Sequence, residues 1–183
     1  RMDPAVPLVI PEVNPEAIAH AKDRTPSNWP CVIANPNCST IILLMALTPL
    51  RRAFGVRSAV VSTYQAASGA GAKGMNELEE QTRADLAGRE VRAGIESGGV
   101  FHEPYAFNIF SHNTSVDPES GLNVEEVKMI KETYKIWNDA SVRIAPTCIR
   151  VPTRRAHAES VHVTLDRAAT HEQIVNALRS FPG

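Results

Sequence analysis

The sequence predicts an α+β fold, a mixed sheet covered by helices on one face. Three observations predict it. The chain has 183 residues, 43% hydrophobic and 21% charged, enough for a packed core. Helix-like and strand-like stretches are mixed without the regular rhythm of βαβ units. A long apolar run, Ile41 to Leu47, is followed by the β-branched stretch Arg57 to Tyr64.

The elements follow in order. Pro7 to Pro11 reads as an extended segment, and Val32 to Asn35 as a short strand ending in a turn. Asn37 is a good helix cap, which places Cys38 in the first turn of a helix running through Pro49 to about Arg52. After strand 57–64, residues 65–74 are small and glycine-rich. Met75 to Leu86 reads as a helix. Residues 88–118 are irregular, with only Tyr105 to Phe110 looking extended. Asn123 to Trp137 is a helix with Val124, Val127, Ile130 and Tyr134 on one stripe, and Glu126 follows Asn123 at capping-box spacing. Strands follow at 141–150 and 160–165. Thr170 opens a last helix to Ser180, with Gln173 as its box partner.

A net charge of −1 and the lack of a basic tract argue against nucleic-acid and membrane-surface partners. No apolar run reaches membrane-spanning length, and no signal-peptide pattern is read in the first residues given. Cys31, Cys38 and Cys148 are too few for a disulfide framework, so a reducing, cytoplasmic setting is expected. Their spacing matches no structural zinc site, and no metal is expected.

Cys38 carries the most information. Unpaired backbone N–H groups and the helix dipole at that terminus favour a thiolate and offer an oxyanion site, which suits an acyl-transfer nucleophile. A buried structural cysteine is the competing reading. Arg150 and His157 lie at the two ends of a tight loop between strands, so both can face one cleft. A histidine serves as general acid/base and an arginine as a fork for a carboxylate. A loop histidine and a strand-end charge in water are the alternatives. Glu125 and Lys128 are three apart on a helix and can be only a surface pair. Cys31 and Cys148 read as core. His20, His102, His112, His162 and His171 have no partner pattern.

Together these pieces resemble the aspartate-semialdehyde dehydrogenase family. The matching phrases are VPLVIPEVN (6–14), NPNCST (35–40), VSTYQAASGAG (61–71), EEVKMIKETYKIW (125–137) and TCIRVPTRRAHAESV (147–161). Ala158, after the histidine, departs mildly from the family phrase. The resemblance implies a fold like the C-terminal catalytic domain of glyceraldehyde-3-phosphate-dehydrogenase-like enzymes. It implies Cys38 as nucleophile through an acyl-thioester, His157 as acid/base and Gln65 as the residue orienting substrate. Substrate binding would fall to Arg150, Glu125, Lys128, Arg1 and Asn37, with inorganic phosphate as co-substrate. Ser68 and Gly69 would approach the nicotinamide of NADP, although SGAG does not match the dinucleotide fingerprint. Residues 1–36 would be the tail of the dinucleotide-binding domain. Residues 37–183 would be the catalytic and dimerisation domain, shortened at its C-terminus and acting as a homodimer or dimer of dimers. With the Rossmann domain mostly absent, these 183 residues alone are expected to be inactive. The rivals are an N-acetyl-glutamyl-phosphate reductase, a phosphorylating glyceraldehyde dehydrogenase or a silent dimerisation module. The Gln65 phrase and the Arg150–His157 spacing favour the aspartate enzyme.

Overall fold

A computed structural model describes residues 3–19, 32–112 and 114–183. Arg1, His20 and Cys31 lie outside the described residues. Besides a helical stretch at 16–19, the described residues carry this framework: α1 (Cys38–Phe54), β1 (Val56–Gln65), α2 (Gly71–Leu86), β2 (Phe110–Ser111), α3 (Val124–Trp137), β3 (Arg143–Arg150), β4 (Ala158–Leu165) and α4 (His171–Arg179). They form the expected α+β arrangement, a single sheet in the order β2-β3-β1-β4.

Strand directions follow from the hydrogen bonds at one end of the sheet. β2 is antiparallel to β3, with Phe110 opposite Arg150. β1 and β3 finish side by side, because Val151 N donates to Gln65 O at 3.2 Å; they are therefore parallel. β4 starts at that same end and is antiparallel to β1. The link from β3 to β4, residues 151–157, is too short for a parallel crossover. The sheet is thus mixed, as read from the sequence. Burial alternates along β1 and β3, so one face is covered and the other more open.

The chain divides into two compact units. One comprises Arg1–Val61, Val127–Pro146 and Val161–Gly183, and the other Ser62–Glu126 and Thr147–Ser160. In the first, Leu43, Leu44, Leu47 and Leu50 of α1 are buried, as are Val56, Met129 and Ile136. α1 continues through Pro49 to Phe54, and Gly55 ends it with φ 75° and its N–H on Arg51 O. Only glycine suits this position, since the backbone is left-handed and a Cβ would collide with Asp166. Val32–Asn35 is not a strand. It makes one parallel bridge, Leu8 to Ala34, too short to continue a ladder.

In the second unit, Ala67, Leu78, Phe101 and Tyr105 form a buried cluster. α2 begins at Gly71, earlier than Met75, because a 3-10 turn over Ala67–Ala70 runs directly into it. The stretch after α2 is irregular but ordered by side chains. Glu77 accepts from Val100 N at 2.5 Å and Phe101 N at 3.4 Å, and Gln81 Oε1 accepts from Tyr105 N and Ala106 N at 2.6 and 3.2 Å. Two side chains one helical turn apart thus replace a strand partner for this segment.

The predicted α3 stripe is not the buried face. Val124 is 39% exposed, and Val127, Ile130 and Tyr134 are only half-buried. The face that goes under carries Glu125, Met129, Glu132 and Ile136, with Glu126 beside it. Buried glutamates are tolerated because backbone and side-chain donors meet them, a compensation that hydrophobicity alone does not reveal.

Glu77→Ala should leave two buried N–H groups without their acceptor and cost about 1–3 kcal/mol. Denaturant unfolding checks the loss, and amide exchange should speed up at Val100 and Phe101 first.

Candidate functional site

At the start of α1, Asn37 caps as expected. Its Oδ1 accepts from Ser39 N at 3.0 Å and Thr40 N at 3.3 Å. The Cys38 side chain is exposed in the first turn. The expectation of unpaired N–H groups beside it is corrected for these two donors, which the cap itself occupies. Asn37 N donates to Glu132 Oε2 at 2.6 Å, and Glu132 is fully buried. This carboxylate fixes the helix start and was not found from the sequence. Its signal was available: 125, 129, 132 and 136 share one helical face. Lys128, in the same unit, is half-buried on α3.

The second unit gathers most of the other predicted residues at the ends of β1 and β3. Gln65 is buried, and its Nε2 donates to Glu125 Oε1 at 3.3 Å. Glu125 is buried too, 4.0 Å from His112 Nε2. His112, given no role from sequence, is therefore part of this cluster. It is seated by its N–H donating to Cys148 O at 2.9 Å, a pairing that only strand register reveals. Glu126 completes the predicted capping box with Asn123 and also accepts from Cys148 N at 2.9 Å.

Arg150 is 4% exposed. Its Nη1 donates to Ala66 O at 3.0 Å, and its guanidinium carbon lies 5.5 Å from the centre of the Phe101 ring. It is not a strand-end charge in water. His157 follows Ala156, which holds φ 69°, and this left-handed turn starts β4. Ala66 N donates to His157 Nδ1 at 3.0 Å. A ring nitrogen that accepts carries no proton, so the neutral ring bears its proton on Nε2. Burial pushes the His157 pKa below its ordinary value, and the Arg150 charge adds to this. Protonating Nδ1 would also break the Ala66 bond. At neutral pH this histidine is a neutral Nε2–H donor.

Gly69 lies against both residues. A Cβ there would stand 2.9 Å from His157 Nε2 and 3.2 Å from Arg150 Nη1. The two side chains therefore flank one point, and glycine is needed for space. Ser68 is half-buried, its N–H donating to Arg154 O at 3.0 Å. Gly69 is exposed.

Cys148 is core, as expected: burial pushes its thiol up to about 12. Glu159 also sits largely buried on β4. Neither of its oxygens has a hydrogen-bond partner among the described residues, and burial raises its carboxyl to about 8. Among the described residues no cluster suits a metal ion, and no helix is long and apolar enough to cross a membrane.

Solved structures that share this fold are dehydrogenases. A structure of aspartate semialdehyde dehydrogenase II from Vibrio cholerae, complexed with ASA, superposes with a TM-score of 0.89 at 41% identity, over 99% of this chain and 50% of that one. The enzyme from Francisella tularensis does so with 0.84 at 25% identity, over 99% and 53%. Residues 47–183 match the family model of the semialdehyde dehydrogenase dimerisation domain, and the chain belongs to that family. Aspartate-semialdehyde dehydrogenases of Aquifex aeolicus and Bacillus subtilis are 41% and 43% identical, each over all of this chain and 51% of the relative. The chain thus spans about half the length of these relatives.

Two measurements check the site. Long-range 1H–15N spectra should show His157 protonated on Nε2 at pH 7.5. Glu159→Gln should stabilise the fold increasingly from about pH 5 to pH 8. The folded carboxyl holds its proton up to about 8, whereas the unfolded one loses it near about 4.3, so wild-type stability falls across that window. Thermal melts at several pH values read the gap.

Proposed function

We propose that this chain supplies the substrate-handling part of an NADP-dependent aspartate-semialdehyde dehydrogenase. In it, residues 37–183 form the catalytic and dimerisation domain and residues 1–36 the end of the dinucleotide-binding domain. The observation that carries the reading is Arg150 and His157 flanking one point at Gly69, with Gln65 and Glu125 in the same unit. The names of the relatives and the ligand of the Vibrio protein support the choice of substrate.

Cys38 attacks the aldehyde carbon, and its acyl-thioester is released by phosphate as aspartyl phosphate; biosynthetic flux runs in reverse. A thioester divides one hard oxidation into two easier steps. NADP, when bound, takes or supplies the hydride. Gly69 and Ser68 would border its nicotinamide end. Arg150 holds the substrate carboxylate with its planar fork. Gln65, steadied by Glu125, orients the substrate. His157 directs Nε2–H at the oxygen that gains charge, and proton uptake from the thiol requires the ring to release Ala66 first. Lys128 and Arg1 assist phosphate, and Asn37 sets the start of the helix that bears Cys38. Two copies pair in the cytoplasm as a dimer or dimer of dimers, for which Val60 and Tyr64 on the open face of β1 offer apolar surface.

The natural full-length chain is assayed with aspartate semialdehyde, NADP and phosphate. Cys38→Ser should remove turnover by several orders of magnitude. Arg150→Lys keeps the charge but loses the fork, and should raise KM about ten- to a hundredfold, as for a charged bond worth about 1.5–3 kcal/mol. Faster turnover of an N-acetyl-glutamyl substrate, or a reactive wild type indifferent to Cys38→Ser, would overturn the reading.

A further inference from the structure

The stretch between α2 and α3 has little regular structure, yet it buries Phe101 and Tyr105 completely. Tyr105 is held at both ends. Its N–H donates to Gln81 Oε1 at 2.6 Å, while its hydroxyl lies 2.8 Å from Val151 O and 3.3 Å from Gln65 O. Between these ends its ring packs edge-on against Phe101 and Phe110, with centroids 4.4 and 5.4 Å away. Both neighbours lead to Arg150: Phe101 lies under its guanidinium, and Phe110 is its register partner across β2 and β3.

We propose that Tyr105 is a positioning residue for the candidate site, its hydroxyl clasping the two carbonyls where β1 and β3 end. It thereby fixes Gln65 and the link that presents Arg150 and His157. The proposal rests on the functional reading of those residues given above.

The geometry around the hydroxyl explains why one bond matters. Val151 leaves β3 immediately after Arg150, and Val151 N donates to Gln65 O. Thr153 N returns to Val151 O at 2.7 Å, and Thr153 O and Arg154 O accept from Ala67 N and Ser68 N. The link is therefore stitched to the end of β1 bond by bond, and the Tyr105 hydroxyl is the stitch from beneath. A hydroxyl has one proton, so the 2.8 Å contact to Val151 O is its main bond and Gln65 O shares it. Burial holds the phenol up to about 12, so it stays a donor throughout the working range. Without the hydroxyl, the Val151 carbonyl keeps only its tight-turn bond and the link gains freedom beside Arg150 and His157. A misplacement of about an ångström is enough to slow an oriented reaction about a hundredfold.

Tyr105→Phe removes the hydroxyl and leaves the aromatic cluster intact, so it isolates the clasp. In the natural full-length chain, KM for aspartate semialdehyde should rise at least fivefold and kcat/KM fall at least tenfold. The His157 titration, followed by 15N NMR, should move up towards its ordinary value as water reaches the ring. Gln81→Ala frees the other end of Tyr105 and should move both readouts the same way by a smaller amount; it also serves if Tyr105→Phe does not fold. Kinetic constants within twofold of wild type and an unmoved His157 titration would overturn the proposal, even if the melting temperature dropped. A wild type that does not turn over the semialdehyde would defeat the functional reading instead, and the His157 titration would still decide the role of Tyr105.

Discussion

The hydrogen bond from Ala66 N to His157 Nδ1 is the constraint on which the candidate site turns. It ties the end of β1 to the start of β4 and sets which histidine nitrogen carries the proton. The neighbouring Ala66 carbonyl accepts from Arg150, so one residue holds both functional side chains through its backbone. No side chain at position 66 is needed for this, only an amide in the right place. The glycine three residues later keeps the space clear. Burial of the ring beside a guanidinium then keeps His157 neutral, which favours the tautomer the amide has already chosen.

Helix α3 shows the same logic with charge. Its buried glutamates each satisfy donors that would otherwise be orphaned. Glu132 meets the cap residue of α1, Glu126 meets β3, and Glu125 meets Gln65. A buried carboxylate so placed is strongly destabilising to remove on one side only, since its partner is left without water. The helix is therefore an element of alignment more than of apolar packing. The stripe of Val124, Val127, Ile130 and Tyr134 is only partly covered, with Val124 the most open, while Met129 and Ile136 go under beside the glutamates.

Much of this was legible in the sequence where the signal is local. Asn37 before Cys38, Asn123 with Glu126, and Thr170 with Gln173 act as caps in the structure, because capping depends on residues within one turn. The mixed sheet followed from strand content and spacing. The apolar stripe of α3 misled, because hydrophobicity alone does not find a buried face lined with paired carboxylates. The roles of Ala66, Tyr105 and His112 were invisible, because each depends on a partner far away in the chain or on a backbone atom that any residue supplies. The stretch after α2 is irregular as read, except that Tyr105 to Phe110, expected to be extended, turns through Phe107 at φ 55°. What ordered it, Glu77 and Gln81, could not be read, because a helix-surface glutamate looks the same whether it faces water or a loop.

The seven-residue link from β3 to β4 carries a further consequence. Hydrogen bonds hold it at both edges, Val151 N on Gln65 O at one end and the His157 ring on Ala66 N at the other. Its length is thus fixed as an integer, while much of its middle, Pro152 to Ala156, faces solvent. Composition there is free to drift, but the count is not. One residue more or fewer would shift His157 out of step with Ala66 N and break the relation with Arg150 in a single step. Such a segment tolerates many substitutions and no insertion, so its length is a stricter signature of this site than its spelling.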